Sequence, residues 1–359
     1  VICRKITGVP EWNRATGPTI KELITIKLSR HDLEAKSIMN ILISLNFCFA
    51  LMGALIRHRR TYDIVHFHGA SLPLILNLFV LKLMKKKIIA KVTSSKSDRE
   101  VGSFKGRYWF IGDILIRILG KVDFFIAISG EIKAALIKDG IEERKIIEIS
   151  NFIKRDEFFP ETDAERKKII KNKLGIDISK RIITLSGRLV HRKRVDVLLE
   201  AVAKVLKTRK DIQVIILGHG ELMNDLLDMA ADLKIQNYVS FRGMVSNILD
   251  YLHVTDIFVF TSEIEGMPNS LLEAMACRLP VIATRIGGVV DIIEDGENGI
   301  IVTPGNAEEL KEAILRLIEN SDLAETIAEN AYKKIKENYY IGSVADKYIQ
   351  LYQKVLEGI

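Results

Sequence analysis

The chain has 359 residues, of which 48% are hydrophobic and 28% charged, a balance typical of α/β proteins that excludes wholesale disorder. Because this length exceeds the usual size of one hydrophobic core, we expect two domains. The three cysteines (Cys3, Cys48 and Cys277) are too few and too widely spaced for a disulfide framework or a metal cluster, which indicates a reducing compartment. The chain begins at Val1 without a methionine, and we expect the first strand to be truncated.

The net charge of +7 is unevenly distributed along the chain. Residues 1–154 contain 26 Lys and Arg against 14 Asp and Glu, whereas the remainder contains 27 against 32. A basic first half beside an acidic second half predicts that an anionic surface contacts the first half only. The sequence carries no recognised nucleic-acid-binding motif, so a membrane surface is favoured over nucleic acid.

Two apolar stretches in the first half support the membrane interpretation. Residues 38–56 are uncharged and are followed by Arg57-His58-Arg59-Arg60, and residues 72–83 are followed by a methionine and three lysines. The first stretch barely reaches the roughly 20 residues that a spanning helix needs, and polar residues interrupt it. A buried or interfacial helix is therefore favoured over a transmembrane span. Two core helices with solvated ends are an equal alternative to membrane docking.

Short β-rich runs alternate with helical stretches along the whole chain. This alternation predicts an α/β fold with parallel sheets covered on both faces, in two Rossmann-like, doubly wound domains. The predicted strands are residues 62–68, 87–93, 123–129, 145–151, 182–187, 214–218, 239–243, 257–260, 280–284 and 299–302.

The domain boundary is predicted within residues 152–180. There Pro160 and a charged run from Glu161 to Lys173, itself a candidate helix, separate two strand-like segments. We place an N-terminal domain at 1–155, a C-terminal domain at 156–338 and a final helical segment at 339–359. Ligands of open α/β sheets bind at the carboxyl ends of strands, so we expect the site in the cleft between the domains.

A basic loop follows the first strand of the second half, with the sequence Ser186-Gly187-Arg188-Leu189-Val190-His191-Arg192-Lys193. Gly187 allows a tight turn, and two fixed cations, Arg188 and Lys193, suit a diphosphate. A solvated surface loop is the ordinary alternative for such a pattern.

The segment from Ser262 to Ala276 predicts a loop that runs into a helix. Gly266 allows close backbone approach, and Pro268 suits a first helical turn. A helix N-terminus favours a phosphate, and the carboxylates of Glu265 and Glu273 can accept hydrogen bonds from hydroxyl groups. This combination indicates a nucleotide-sugar site. The spacing of Glu265 and Glu273, taken alone, is equally explained by two solvated glutamates.

Six motifs occur in a recognisable order between Gly187 and Val302. They resemble those of the retaining glycosyltransferases of family four (glycosyl transferases group 1), especially enzymes of bacterial surface-polysaccharide assembly. The resemblance implies the GT-B fold, in which two Rossmann-like domains face a central cleft. The motifs are Gly187-Arg188-Leu189 with Lys193, Leu217-Gly218-His219-Gly220, Phe241-Arg242-Gly243, Asp256-Ile257-Phe258, Glu265-Gly266 with Glu273-Ala274-Met275-Ala276, and Pro280-Val281-Ile282-Ala283-Thr284 with Gly287-Gly288.

The resemblance implies a role for each matching residue. Arg188 and Lys193 bind the donor diphosphate and neutralise the departing nucleotide, and Glu265 contacts the donor sugar. Glu273 accepts hydrogen bonds from the ribose hydroxyls. The remaining donor-binding positions are Gly187, Gly266, Met267, Pro268, Asn269, Ser270 and Leu271, with Gly243 and Val245 near the base.

The acceptor side of the first domain departs from the family pattern. Similar enzymes carry a His-x-His here, which is His66 and His68 in this chain. His68, at the end of a predicted strand, is the better site candidate. His66 is equally well explained as a core histidine. Where many relatives have a second cleft histidine, this chain has Thr93 and Ser94, which are candidates to hydrogen-bond the sugar. The glycine loop expected after the first strand is matched only imperfectly, by Gly8 and Gly17.

Smaller departures occur in the second domain. Arg194 and Arg278 occupy positions where relatives usually have glycine, and Phe152 follows Asn151 where glycine is common. Arg194 is either a tolerated surface change or an additional positive charge near the phosphate. We interpret Cys277 as a packed helix residue rather than a nucleophile.

No Asp-x-Asp pair occurs in the sequence, so we expect neither a metal nor another cofactor beyond the nucleotide-sugar substrate. The resemblance implies retaining transfer of a sugar, and we expect a glycan or lipid-linked acceptor. The basic, apolar first domain predicts a cytoplasmic enzyme held peripherally on the inner membrane face. The resemblance also implies a final helix, within about residues 341–359, that packs on the first domain. The alternatives are a GT-B epimerase or hydrolase and a degenerate nucleotide-sugar-binding partner subunit.

Overall fold

The computed structural model describes residues 2–6, 24–28, 38–93 and 111–357, and within these the side chains of 44–93 and 114–357. The strands in these ranges are β1 Ile2–Ile6, β2 Ile24–Leu28, β3 Ile64–His68, β4 Lys87–Val92, β5 Phe124–Ala127, β6 Ile146–Glu148, β7 Arg181–Ser186, β8 Ile212–Leu217, β9 Val239–Gly243, β10 Ile257–Phe260, β11 Val281–Thr284 and β12 Ile300–Val302.

Helices connect most of these strands. They are α1 Ile38–Arg57, α2 Leu72–Leu83, α3 Ile111–Leu119, α4 Gly130–Lys138, α5 Ala164–Lys173, α6 Val195–Val205, α7 Met223–Asp232, α8 Ile248–His253, α9 Asn269–Ala276, α10 Gly287–Val290, α11 Ala307–Glu319, α12 Ser321–Asn338 and α13 Ile341–Glu357.

The chain folds into two compact units. The first comprises residues 1–126, 135–147 and 352–359, and the second comprises residues 127–134 and 148–351. The domain bounds of 1–155, 156–338 and 339–359 stay a prediction, as does the cleft position of the site.

The first unit is built on a sheet with strand order β3-β4-β5-β6. Strands β3 and β4 are parallel, and β4 is almost wholly buried because its apolar run is covered on both faces. Helix α1 packs on α2, and α2 packs on α3 and on β4. Strands β1 and β2 form a separate parallel pair.

The second unit contains a six-stranded sheet with strand order β12-β11-β10-β7-β8-β9. Its neighbouring strands are all parallel. The chain starts in the middle at β7, runs outward to β9, and then returns to place β10 on the other side of β7, which is the Rossmann order. The core between this sheet and helices α6 and α11 contains Leu198, Val202, Val214, Ile314 and Leu317.

The predicted α/β fold with two parallel, Rossmann-like sheets is therefore confirmed. Each predicted strand is present within a few residues of its expected ends, as for residues 123–129, of which 124–127 form β5. The charged run beginning at Glu161 forms helix α5, whose N-terminus is capped by the Asp163 carboxylate through the amides of Glu165 and Arg166.

The two apolar stretches of the first half form α1 and α2. No helix within the described ranges combines the length and apolar character needed to cross a membrane. Gly8, Gly17 and Ser94 lie outside the described residues, so the expectations for them are not tested.

Candidate active site

The central feature of the second unit is the point where β7 and β10 lie side by side. The chain order reverses between these two strands, and their carboxyl ends therefore open a crevice in the sheet edge. The loop after β7 carries Lys193 and the loop after β10 carries Glu265. The structure brings these two predicted residues together, with 2.8 Å between Lys193 Nζ and Glu265 Oε1.

Arg192 completes an ion cluster that the sequence did not predict. Its Nη1 lies 2.5 Å from Glu265 Oε1 and 3.3 Å from the carbonyl oxygen of Ile264. The Glu263 amide in turn donates to the Arg192 carbonyl, at 2.9 Å. The two loops are thus joined by backbone and side-chain bonds, which hold one carboxylate between two cations.

Lys193 is held in a partly apolar setting. Its side chain is 14% exposed and that of Glu265 is 17% exposed, and the ammonium lies 5.2 Å from the centroid of the Phe260 ring. Burial lowers the pKa of Lys193, while the charge of Glu265 and its hydrogen bond act in the opposite direction. A partly desolvated cation acts strongly on an anion brought beside it, because little solvent screens the interaction.

Glycines allow the backbone segments of this crevice to approach closely. A Cβ atom on Gly218, where φ is +133°, would lie 1.9 Å from the carbonyl oxygen of Gly187. A Cβ on Gly220 would lie 2.2 Å from the Leu189 carbonyl oxygen, and one on Gly288 would lie 2.1 Å from that of Gly266. These three glycines, from two sequence motifs, therefore allow the loops to lie close together, an arrangement that larger residues would prevent.

The loop after β10 leads into helix α9, which begins at Asn269. The expectation that Pro268 lies in the first helical turn is wrong. Pro268 is the N-cap residue with an extended backbone (φ −80°, ψ 109°), and no side chain in the described part of the chain caps this end. The Asn151 amide instead donates to Asn269 Oδ1 at 2.8 Å and so braces the helix start from a different loop. No side-chain cap from the described ranges therefore occupies the first amides of α9, and the N-terminus of a helix is a favourable position for an anion.

Glu273 lies one turn into α9 and is largely buried. Burial, and to a lesser extent the charge of Glu157, raises its pKa to about 7. Cys277, one turn further, is 5% exposed, and burial raises the pKa of its thiol to about 12. The interpretation of Cys277 as a packed residue therefore agrees with its surroundings, because a buried neutral thiol is a poor nucleophile.

The two arginines that replace family glycines both have left-handed backbone conformations. Arg194 has φ +47° and Arg278 has φ +59°, which explains why glycine suits these positions. Ion pairs accompany both: Arg194 binds Asp196 and Glu263, and Arg278 pairs with two glutamates of α12. Because these acidic partners already hold its guanidinium, Arg194 is a structural link between loops in this state.

The other donor-side candidates lie around the same strand ends. Arg188 is exposed in the loop after β7. Gly243 has φ +66° and its carbonyl accepts from the Gly218 amide at 2.8 Å, which places the end of β9 beside the glycine turn. Val245 packs against the smaller apolar cluster of this unit. Met267, Ser270 and Leu271 belong to the loop and first turn of α9.

The first unit contains a separate polar cluster where β3 and β4 end. The rings of His66 and His68 stack with centroids 4.9 Å apart, and His66 Nδ1 lies 2.9 Å from the Tyr352 hydroxyl. Lys91 pairs with His68 in the strand register and is 8% exposed. Burial, followed by the charges of His68 and Lys91, lowers the pKa of His66 to about 4. Thr93 is exposed just after β4.

Burial also lowers the pKa of Lys91, and burial with the nearby Lys91 charge lowers that of His68. No sequence pattern predicted a role for Lys91 or Tyr352. The sequence signal for Lys91 is its position inside an otherwise apolar strand, because a buried charged side chain indicates a specific role. Tyr352, 286 residues from His66, gave no local signal.

In the part of the chain that the structure describes, no three His, Cys, Asp or Glu side chains come together as metal ligands. At the β7–β10 crevice the structure brings two cations and a carboxylate together, and the N-terminus of α9 follows in the same loop. Such a set binds a phosphorylated, hydroxyl-rich molecule.

Two protein-family models match the chain. The model described as Glycosyl transferases group 1 matches residues 166–334, and the model described as Glycosyltransferase Family 4 matches residues 27–157. The first covers the β7–β10 crevice and the second covers the histidine pair.

Curated relatives also match the chain. The chain is 28% identical to the lipopolysaccharide core biosynthesis glycosyltransferase LpsE of Rhizobium meliloti, across 80% of this chain and 82% of the relative. It is also 28% identical to the N-acetyl-alpha-D-glucosaminyl L-malate synthase of Bacillus anthracis, where it spans about half of the relative's length (53%).

Solved structures share the fold. Anabaena HepE in complex with UDP superposes with a TM-score of 0.77 at 18% identity, over 92% of this chain and 86% of that one. A glycosyltransferase from Rickettsia africae superposes with a TM-score of 0.75 at 25% identity, over 94% and 86% of the two chains.

Proposed function

Because this chain belongs to the GT-B glycosyltransferases of family four, we propose that it transfers a sugar from a nucleoside-diphosphate-sugar to a glycan or lipid-linked acceptor, with retention and without a metal. The relative from Rhizobium meliloti acts in lipopolysaccharide core biosynthesis, and the Anabaena structure contains UDP. These two relatives support cell-surface glycan or glycolipid synthesis and a uridine nucleotide as the first donor to test.

One observation carries the donor-site proposal: the contact of Lys193 with Glu265 at the reversal point of the sheet. In the donor complex Lys193 and Arg188 bind the diphosphate, and the α9 amides add the partial positive charge of a helix N-terminus. Glu265 then accepts hydrogen bonds from the sugar, with Arg192 holding its carboxylate in place. Glu273 accepts from the ribose hydroxyls.

The proposed chemistry uses positioning and charge rather than a protein nucleophile. The bond between the anomeric carbon and the diphosphate oxygen breaks, and a bond from that carbon to the acceptor oxygen forms on the same face. The acceptor proton passes to the departing phosphate. Lys193 and Arg188 neutralise the charge that develops there, and each preorganised group of this kind contributes about 3–4 kcal/mol.

The acceptor side is proposed to lie in the first unit. His68, with Lys91 beside it, offers polar groups at the end of β3, and Thr93 offers a hydroxyl group. The concentration of positive charge in residues 1–154 supports a peripheral position on the inner face of the cytoplasmic membrane, where lipid-linked acceptors are found.

The decisive experiment measures donor binding by calorimetry with UDP-, GDP- and ADP-sugars. We expect one of them to bind, and we expect Lys193→Met to remove that binding. The matched control is Lys207→Met, an exposed lysine after α6, which leaves binding unchanged. Equal donor affinity in the wild type and in Lys193→Met would contradict the assigned site.

Product analysis separates transfer from its alternatives. With an α-linked donor, retention gives an α-linked product by proton NMR, whereas a β-linked product refutes the proposed stereochemistry. Release of free sugar or an altered donor in the presence of every acceptor tested would favour a hydrolase or an epimerase. Donor binding without any turnover would favour a binding subunit.

A further inference from the structure

Three neighbouring helices of the first unit expose large apolar side chains. Phe49 of α1 is 63% exposed, and Phe79 and Leu83 of α2 are each 68% exposed. Ile56 of α1 and Ile114 of α3 are exposed as well. Because α1 packs on α2 and α2 packs on α3, these side chains belong to one region of the surface. Large exposed apolar regions of this kind mark interaction sites.

Phe49, Ile56, Phe79 and Leu83 lie in the C-terminal halves of α1 and α2, and Ile114 lies near the middle of α3. All three helices end in positive charge. Helices that connect parallel strands run antiparallel to them, so their C-termini meet at the amino edge of the sheet. Residues 57–63, 82–87 and 117–123, at these helix ends, contain nine Lys and Arg against two aspartates. Both aspartates are paired with lysines of α2 or of the turn after it.

Helical spacing places charged and apolar side chains on the same faces. Ile114 and Arg117 are three residues apart on α3, and Lys121 follows the helix at the same edge. Phe79 and Lys82 have the same spacing on α2, and Ile56 of α1 precedes the exposed Arg57. Cations therefore border the apolar side chains on each helix.

A basic cavity of about 180 Å³ lies at this same edge. The first residues of β4 and β5 and the residue before β6 belong to its lining, which fixes its position at the amino ends of the strands. Its lining carboxylate, Asp123, is already engaged by Lys82 and by the Ile88 amide, both at 2.7 Å. The charged lining residues are Lys87, Lys121, Asp123, Lys145 and Lys354.

We infer that the C-terminal halves of α1, α2 and α3 form a docking surface for an anionic lipid bilayer. The exposed side chains of Phe49, Phe79 and Leu83 enter the boundary between headgroups and acyl chains, and the surrounding cations lie at the level of the lipid phosphates. This inference rests on the proposed function, because it specifies which surface of the first unit holds the enzyme on the membrane.

Charge complementarity selects the bilayer among the possible occupants. A second copy of the chain in a symmetric contact would place this cationic edge against an identical one, and like charges would repel. A continuous anionic surface neutralises all three helix ends together. The apolar side chains gain a water-free environment in the same event.

The test is co-sedimentation of the full chain with vesicles of phosphatidylcholine alone or mixed with phosphatidylglycerol. We expect binding only to the anionic vesicles, weakened by added salt. The double variant Phe49→Ser/Phe79→Ser should bind about tenfold more weakly, since its apolar side chains no longer enter the bilayer. Replacing Lys85 and Arg117 by serine should weaken binding and reduce its salt dependence.

Matched controls come from α5 in the second unit. Ile169 is 66% exposed there, and Lys168 is exposed beside it. Ile169→Ser/Lys168→Ser should bind vesicles like the wild type. Absence of vesicle binding by the wild type, equal loss in the control, or a concentration-dependent dimer that the Phe49→Ser/Phe79→Ser variant abolishes would each overturn the inference.

Donor calorimetry on the same variants separates this inference from the proposed function. Phe49→Ser/Phe79→Ser should keep wild-type donor affinity and a wild-type circular dichroism spectrum, because both side chains are exposed. Vesicle binding without donor binding would refute the transferase site and leave the docking surface supported. Donor binding without vesicle binding would refute the docking surface and leave the transferase site supported.

Discussion

Glu273 is expected to destabilise the fold at the pH at which it binds the donor. Burial and Glu157 raise its pKa from 4.5 to about 7, so the folded chain binds this proton more tightly than the unfolded chain does. Stability is therefore expected to fall as pH rises from about 5 to about 8. A rise in pKa of this size corresponds to about 3 kcal/mol.

The variant Glu273→Gln removes this titration while keeping the shape of the protonated side chain. We expect it to be more stable than the wild type at pH 8 by up to about 3 kcal/mol, and equally stable near pH 5. Urea unfolding followed by circular dichroism at both pH values measures the difference. Glu200→Gln, an exposed carboxylate on α6, is the control and should change neither value.

Donor binding should show the opposite pH dependence, because ribose hydroxyls donate to the ionised carboxylate. One pH unit below its pKa, about one Glu273 in eleven is ionised, so the donor Kd should be roughly tenfold higher at pH 6 than at pH 8. Calorimetry should use an intact nucleotide sugar, since a terminal phosphate itself titrates with a pKa of about 6.

Two variants test the role of Glu273. Glu157→Gln should move the pH midpoint of donor binding downward, because it removes a neighbouring negative charge. Glu273→Gln should bind the donor weakly with no pH dependence between 6 and 8. If Glu273→Gln and the wild type have equal stability at pH 8 and the same pH profile of donor binding, the buried carboxylate has neither proposed role.

The remaining predictions concern the requirement for a metal ion and the role of Gly218. Turnover should persist when EDTA removes divalent cations, because Lys193, Arg188 and the α9 amides stabilise the leaving group. A strict requirement for added Mg²⁺ or Mn²⁺ in the transfer assay would contradict this prediction. Gly218→Ala should destabilise the second unit by several kcal/mol, because its Cβ would lie 1.9 Å from the Gly187 carbonyl oxygen at a φ of +133°. Chemical denaturation checks this value, and Gly342→Ala, where a Cβ meets nothing within 4 Å, is the control.

Much of the fold was predictable because its signals are local. Apolar β-rich runs and helical spacing are properties of neighbouring residues, so the strands and helices were found with errors of a few residues at their ends. Pro268 shows where such reasoning fails. The fixed φ of proline suits a first helical turn, but α9 begins one residue later, at Asn269, whose side chain accepts from Asn151.

The pairing of Arg192 with Glu265 shows a second kind of failure. The sequence offered four basic residues between positions 188 and 194, and spacing alone could not rank them. Which side chain faces the carboxylate depends on the short helical turn at His191–Lys193 and on the side-by-side position of β7 and β10. Both are set by packing across 73 residues of chain.

By itself, the sequence determined the succession of strands and helices, the basic first half and the ordered donor motifs. These follow from composition, periodicity and residue spacing, which act over a few residues. Only the tertiary structure decided that Lys193 and Arg192 share one carboxylate, that Glu273 lies buried near Glu157, and that three helix ends form one cationic, apolar surface. Burial and proximity depend on the order of strands in a sheet, and that order arises from the packing of the whole domain.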